Sequence, residues 1–117
     1  MDQEELKQRS KAFAVRVVKM TEALPPTRVA DIIARQVIRS ATSVGANYRA
    51  ACRARSHAEF IAKLGIVEEE ADETLYWLEM LVETKLLPEA RLTDLLREAD
   101  ELVAIFTASG RTARHNR

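Results

Sequence analysis

Turn-forming residues are scarce in this chain of 117 residues, which holds three glycines and three prolines. That is too few for the many tight turns of an all-β protein. There is one cysteine, Cys52, so no intrachain disulfide can form, and a lone thiol fits a reducing compartment. Aromatic residues make up only 5% of the chain, so its core must be aliphatic. No apolar run approaches the roughly 20 residues that span a bilayer. The start, Met1-Asp2-Gln3-Glu4-Glu5, lacks the apolar segment of a signal peptide. A cytoplasmic protein with no membrane partner is expected. Only His57 and His115 offer imidazole, too sparse for a zinc site. Glu-x-x-His, which a di-iron helical bundle needs twice, does not occur. There is no Gly-rich phosphate loop and no Ser-His-Asp order. Neither a metal nor a cofactor is expected.

What is present is helical periodicity. Apolar residues form 47% of the chain, enough for one domain that buries a core without staples. Leu6, Phe13, Val17, Met20 and Leu24 fall on one stripe and predict a first helix over 2–23, ended by Pro25-Pro26. Ala30, Ala34, Val37, Ala41, Val44, Tyr48 and Ala51 predict a second over 27–53, with Thr27 as N-cap. Val29, Ile32, Ile33 and Ile38 widen its apolar face beyond what one neighbour covers. Gly45, inside this helix, suits the close approach of another helix.

A third helix is predicted over 56–87, opened by the capping box Ser56-His57-Ala58-Glu59. Its main stripe is Phe60, Leu64, Val67, Ala71, Leu75, Leu78 and Val82. A second stripe, Ile66, Glu70, Glu73, Trp77 and Leu81, mixes acids with an aromatic. A fourth helix follows Pro88 and carries Leu92, Leu95, Leu96, Ala99, Leu102, Val103 and Phe106. Gly110 is read as its end, leaving 111–117 as a frayed basic tail beyond a bundle over 1–110. Short connections make neighbouring helices antiparallel, so the expected fold is an all-α, up-down-up-down four-helix bundle. The wide apolar face of the second helix predicts a homo-oligomer.

The charges balance at 18 basic against 18 acidic, but they are segregated. Residues 27–55 hold six arginines against the single acid Asp31, a net +5. Residues 56–86 hold eight acids against Lys63 and Lys85, a net −6. Opposite helices can neutralise one another, whereas nucleic-acid binders usually keep a net positive charge.

Small and polar residues recur at fixed places on the middle helices. Arg39-Ser40-x-x-Ser43-Val44-Gly45-Ala46-Asn47-Tyr48-Arg49-x-Ala51 is followed by Arg53-x-Arg55-Ser56-x-x-Glu59-Phe60 and Gly65-Ile66. Glu70-Ala71-Asp72-Glu73-Thr74-x-Tyr76-Trp77-Leu78 completes the set. Together they resemble the bacterial four-helix-bundle proteins of the S23 type, first noticed as reading frames inside intervening sequences of 23S ribosomal RNA genes. The resemblance covers nearly the whole chain. It implies a bundle that assembles as a ring-like homopentamer, with no established enzymatic activity. A distantly similar bundle is an accessory to reverse transcriptases and binds nucleic acid through a basic surface. This chain departs from that pattern in being neutral. Glu68 and Glu69 stand where relatives often carry an apolar and a basic residue.

Two constellations remain. Arg39, Ser43 and Asn47 on the second helix can face Glu70, Glu73 and Trp77 on the third. Such a set is either a catalytic pocket or a buried, paired network that fixes register or subunit choice, and the absence of a nucleophile favours the network. The basic turn of Arg49, Arg53 and Arg55, with Lys63 nearby, is the candidate contact for an anion, RNA or DNA, extended by Arg111, Arg114 and Arg117. The competing reading pairs these arginines with acids of a neighbouring copy. Cys52 lies among them but has no histidine beside it, so it is read as incidental. The function expected is a non-enzymatic, self-associating scaffold. The alternative is an RNA- or DNA-binding accessory.

Overall fold

The computed structural model describes residues 1–116. Four α-helices follow one another: α1 (Gln3–Thr21), α2 (Arg28–Cys52), α3 (His57–Glu83) and α4 (Thr93–His115). A short 3-10 turn, Glu89–Arg91, precedes α4. No strand occurs among the described residues, and the fold is all-α.

The N-termini are set by side chains that replace missing backbone partners. Asp2 accepts from the Glu5 amide at 2.8 Å, Thr27 from Ala30 at 3.2 Å and Ser56 from Glu59 at 3.1 Å. Glu59 reaches back to the Arg55 amide at 3.1 Å, one residue before the partner of an ideal capping box. Pro88 heads the 3-10 turn and not α4, which starts five residues later without a side-chain cap. The third helix stops at Glu83, short of the expected Leu87, because Lys85 turns to φ 58°. The Lys85 and Leu86 amides then bond the Val82 and Leu81 carbonyls at 3.0 and 3.3 Å, closing a Schellman motif.

The far end of the chain corrects the sequence expectation. Helix α4 passes straight through Gly110 and ends at His115. A glycine stops a helix by adopting positive φ, and among the described glycines none does. Gly110 serves instead as space: a methyl group there would come within 2.8 Å of the Glu68 carboxylate. The last turns are tied down rather than frayed. Ala113 is buried, its carbonyl lies 2.8 Å from His57 Nε2, and Arg114 pairs with Glu68 at 3.5 Å. Arg117 lies outside the described residues.

The bundle is a rod of 47 × 21 × 20 Å. Its length follows from α3, whose 27 residues span about 40 Å at ~1.5 Å each. Helix α2 packs broadly on α3, α3 on α4 and α1 on α2, while α4 meets α1 along a much narrower seam. Phe13 and Val17 of α1, Val37 and Val44 of α2, Leu64 and Leu78 of α3, and Leu102 and Phe106 of α4 form the dry centre. The Tyr48 and Phe106 rings meet across it, 5.2 Å between centroids. The core line of α3 lies between the two stripes read from sequence: Thr74 and Leu81 are fully buried, whereas Phe60, Leu75 and Val82 are only partly so. A helix flanked on two sides buries the arc between its neighbours, which rotates its driest line. Gly45 faces Ser10 and Lys11 of α1, so the helix it admits belongs to the same chain.

Candidate functional site

The α2–α3 seam holds the densest polar group. Arg39 forks onto Glu70, with Nη1 and Nη2 donating to the two carboxylate oxygens at 2.9 and 3.2 Å. Nη2 also donates to Glu73, whose carboxylate accepts from Trp77 Nε1 at 3.4 Å. The two acids, Glu70 first and Glu73 next, hold the guanidinium above its ordinary pKa. This much matches the spacing in the sequence. Two features do not. Asn47 folds back onto its own helix, its Nδ2 donating to the Ser43 carbonyl at 2.9 Å, and neither Ser43 nor Asn47 joins the acids. They stand one and two helical turns beyond Arg39, about 6 and 12 Å along α2. Nor is the group buried: the Arg39 side chain is 49% exposed and that of Glu70 15%. It forms the rim of the seam.

The dry part beneath that rim was not singled out in the sequence. Ser40 and Thr74 are fully buried, and their hydroxyls hydrogen-bond at 2.9 Å. Thr74 also reaches the Glu70 carbonyl at 2.8 Å, and Ser40 the Val37 carbonyl at 3.3 Å. Each follows its motif neighbour, Arg39 or Glu73, by one residue. A second ion-pair clamp joins α1 to α4. Arg9 donates from Nε and Nη2 to both oxygens of Glu98 at 2.7 Å, and from Nη2 to Glu101 at 3.2 Å. That hydrogen bonding holds Glu98 below the usual carboxylate pKa and Arg9 above its own.

The basic turn divides. Arg49 and Arg53 line an open groove of about 810 Å³ between α1 and α2. Arg55 and Lys63 do not line it. The floor is Ala14, Val15 and Val18 of α1 with Thr42, Gly45 and Ala46 of α2. Lys7, Lys11 and Lys19 of α1 rim it with the two arginines, and the acids Glu4 and Glu22 stand among them, so cations exceed acids five to two. Lys7 is paired with Glu4 at 3.1 Å, but Lys11, Lys19, Arg49 and Arg53 form no ion pair among the described residues. Lys7, Lys11 and Lys19, spaced four and eight residues apart on one helix face, are visible in the sequence, although their meeting with α2 is not. Cys52 sits against the Tyr48 hydroxyl, and burial first, then that thiol, pushes the tyrosine pKa up.

Every resolved shift drives its group deeper into the charge state it already has near neutrality: Glu4 and Glu98 down, Arg9, Arg39 and Tyr48 up. A general acid or base needs the reverse. Among the described residues, no three His, Cys, Asp or Glu side chains converge as metal ligands would. No helix is long and apolar enough to cross a membrane.

The fold and its polar seams define a small four-helix protein with self-contained ion-pair clamps. Residues 2–108 match the family model of the 23S rRNA-intervening sequence protein. The chain belongs to that family. It is similar to a solved structure from the S23 ribosomal protein family of Bacteroides thetaiotaomicron, itself of unknown function, with 34% identity and a TM-score of 0.86. The match covers 95% of this chain and 99% of that one. Among curated proteins, none matches.

Proposed function

We propose that the chain acts without catalysis, as the repeating unit of a ring-like homopentameric scaffold in the cytoplasm. The observation that carries this reading is apolar surface left outside the core on three helices. Val15 and Val18 of α1, Val29 and Ile32 of α2, and Ile66 and Tyr76 of α3 are all exposed. Apolar side chains left in water on three helices support a contact with another molecule. The pentamer is what the S23 resemblance implies, and the lone thiol of Cys52 supports a reducing compartment. Light scattering tests the assembly. The expected mass is five times the 13.2 kDa of one chain, and a mass of 13.2 kDa at micromolar concentration refutes it.

A nucleic-acid accessory is the second reading, supported by the unpaired cations Lys11, Lys19, Arg49 and Arg53 along one groove. It requires binding to a labelled RNA or DNA oligomer that weakens steeply with salt. Binding that is absent at low salt excludes it.

A further inference from the structure

We propose that copies associate head to tail, the outer face of α3 on one copy seating in the α1–α2 groove of the next. This rests on the self-assembly reading and assigns the two faces that meet.

The faces are complementary in sign. On α3, Glu69, Asp72, Glu79 and Glu83 are exposed and form no ion pair among the described residues. The groove carries Lys11, Lys19, Arg49 and Arg53, likewise unpaired. The pattern also matches in length. Asp72 and Glu79 flank the exposed ring of Tyr76 over about 10 Å of helix, and Lys11 and Lys19 flank exposed Val15 over about 12 Å. Seating one face on the other covers Tyr76 and Ile66 with Val15 and Val18 and pairs the acids with the cations.

Gly65 provides an independent observation. It lies in the interior of α3, one turn before Glu69 on the same outer face. A methyl group added there would meet no atom within 4 Å. Nothing in its own chain requires the absence of a side chain. The close approach of a second copy does. Because the two faces differ, each copy offers one of each, and such contacts close into rings or run on into filaments.

The experiment pairs two crippled variants. Asp72→Lys with Tyr76→Ala spoils the α3 face, and Lys11→Glu with Lys19→Glu spoils the groove. All four positions are exposed, and circular dichroism confirms that each variant stays helical. Each alone is expected to scatter light as a monomer. Mixed in equal amounts they retain one sound pair of faces, so the mass doubles to that of a heterodimer and stops there. Gly65→Leu is expected to abolish assembly while keeping the helix content, which separates a blocked interface from a broken fold.

Variants that keep the wild-type mass, or a mixture that stays monomeric, overturn the assignment while the scaffold reading stands. A monomeric wild type overturns both. A groove variant that assembles normally but loses a labelled RNA oligomer gives the groove to nucleic acid and overturns the docking.

Discussion

Cutting the Arg9–Glu98 clamp tests how α1 is held to α4. The fork is bidentate at 2.7 Å, and the side chains are 25% and 16% exposed, between the surface and buried cases. Exposed pairs contribute about 0.2–1 kcal/mol, and breaking a buried pair costs about 3–5 kcal/mol. Partial exposure discounts the clamp to about 1.5–2 kcal/mol of coupling energy, within the range of charge-assisted hydrogen bonds. Removing it should lower the melting midpoint by roughly 6–8 °C in a domain of this size. The assay is a double-mutant cycle of Arg9→Ala, Glu98→Ala and the double variant, melted at one protein concentration. Acid supplies a second arm. Arg9 lowers the Glu98 pKa in the folded chain, so the unfolded chain binds that proton more readily. The contribution is therefore complete above the ordinary value of 4.5 and is lost as pH falls through the depressed folded value. Wild type and Glu98→Ala should converge in that acid range. A coupling below about 0.5 kcal/mol, or a gap that persists in acid, refutes the clamp as a stabilising contact.

Arg39→Ala should cost about 1–2 kcal/mol rather than the 3–5 of a buried pair, because about half of the Arg39 side chain is already in water. Arg53→Ala, at a residue with no ion pair within the chain among the described residues, should leave the helix content intact, and circular dichroism with thermal melts separates the two variants. Thr74→Val should cost about 1 kcal/mol in urea titrations, and adding Ser40→Ala should cost less than the sum of the singles, since both ends of one buried hydrogen bond are then gone. Lys85→Gly should raise stability by about 1 kcal/mol at unchanged urea slope, by removing a side chain from the left-handed conformation.

The helix starts were legible because capping is local: Thr27 and Ser56 each stand directly before an amphipathic stripe, and each bonds an amide three residues on. Gly110 was misread because composition cannot distinguish a glycine that ends a helix from one that makes room, and here the room is for a carboxylate 42 residues away. Arg39, Glu70 and Glu73 were legible as partners from their spacing. Ser43 and Asn47 share that spacing, but the Asn47 amide is taken up by a carbonyl of its own helix, a choice that spacing does not reveal. Arg9 and Glu98 lie 89 residues apart and look like ordinary surface charges in the sequence. The groove was hidden for a related reason: Lys11 and Lys19 become neighbours of Arg49 and Arg53 only once α1 lies on α2.

The narrow α1–α4 seam gives the rod a weak corner. Three sides of the square are broad, and the fourth depends largely on one charged fork and a few apolar contacts. Sub-global opening is therefore expected to begin with α1 swinging out on its α2 edge, baring Phe13 and Val17 while α2, α3 and α4 stay packed. Amide protons in α1 should exchange with solvent at a lower free energy than those in the middle of α2 and α3, which native-state hydrogen exchange measures. A protease able to cut an opened helix finds its first target between Gln3 and Thr21. An occupant of the α1–α2 groove is expected to hold α1 on its hinge edge and so slow that release.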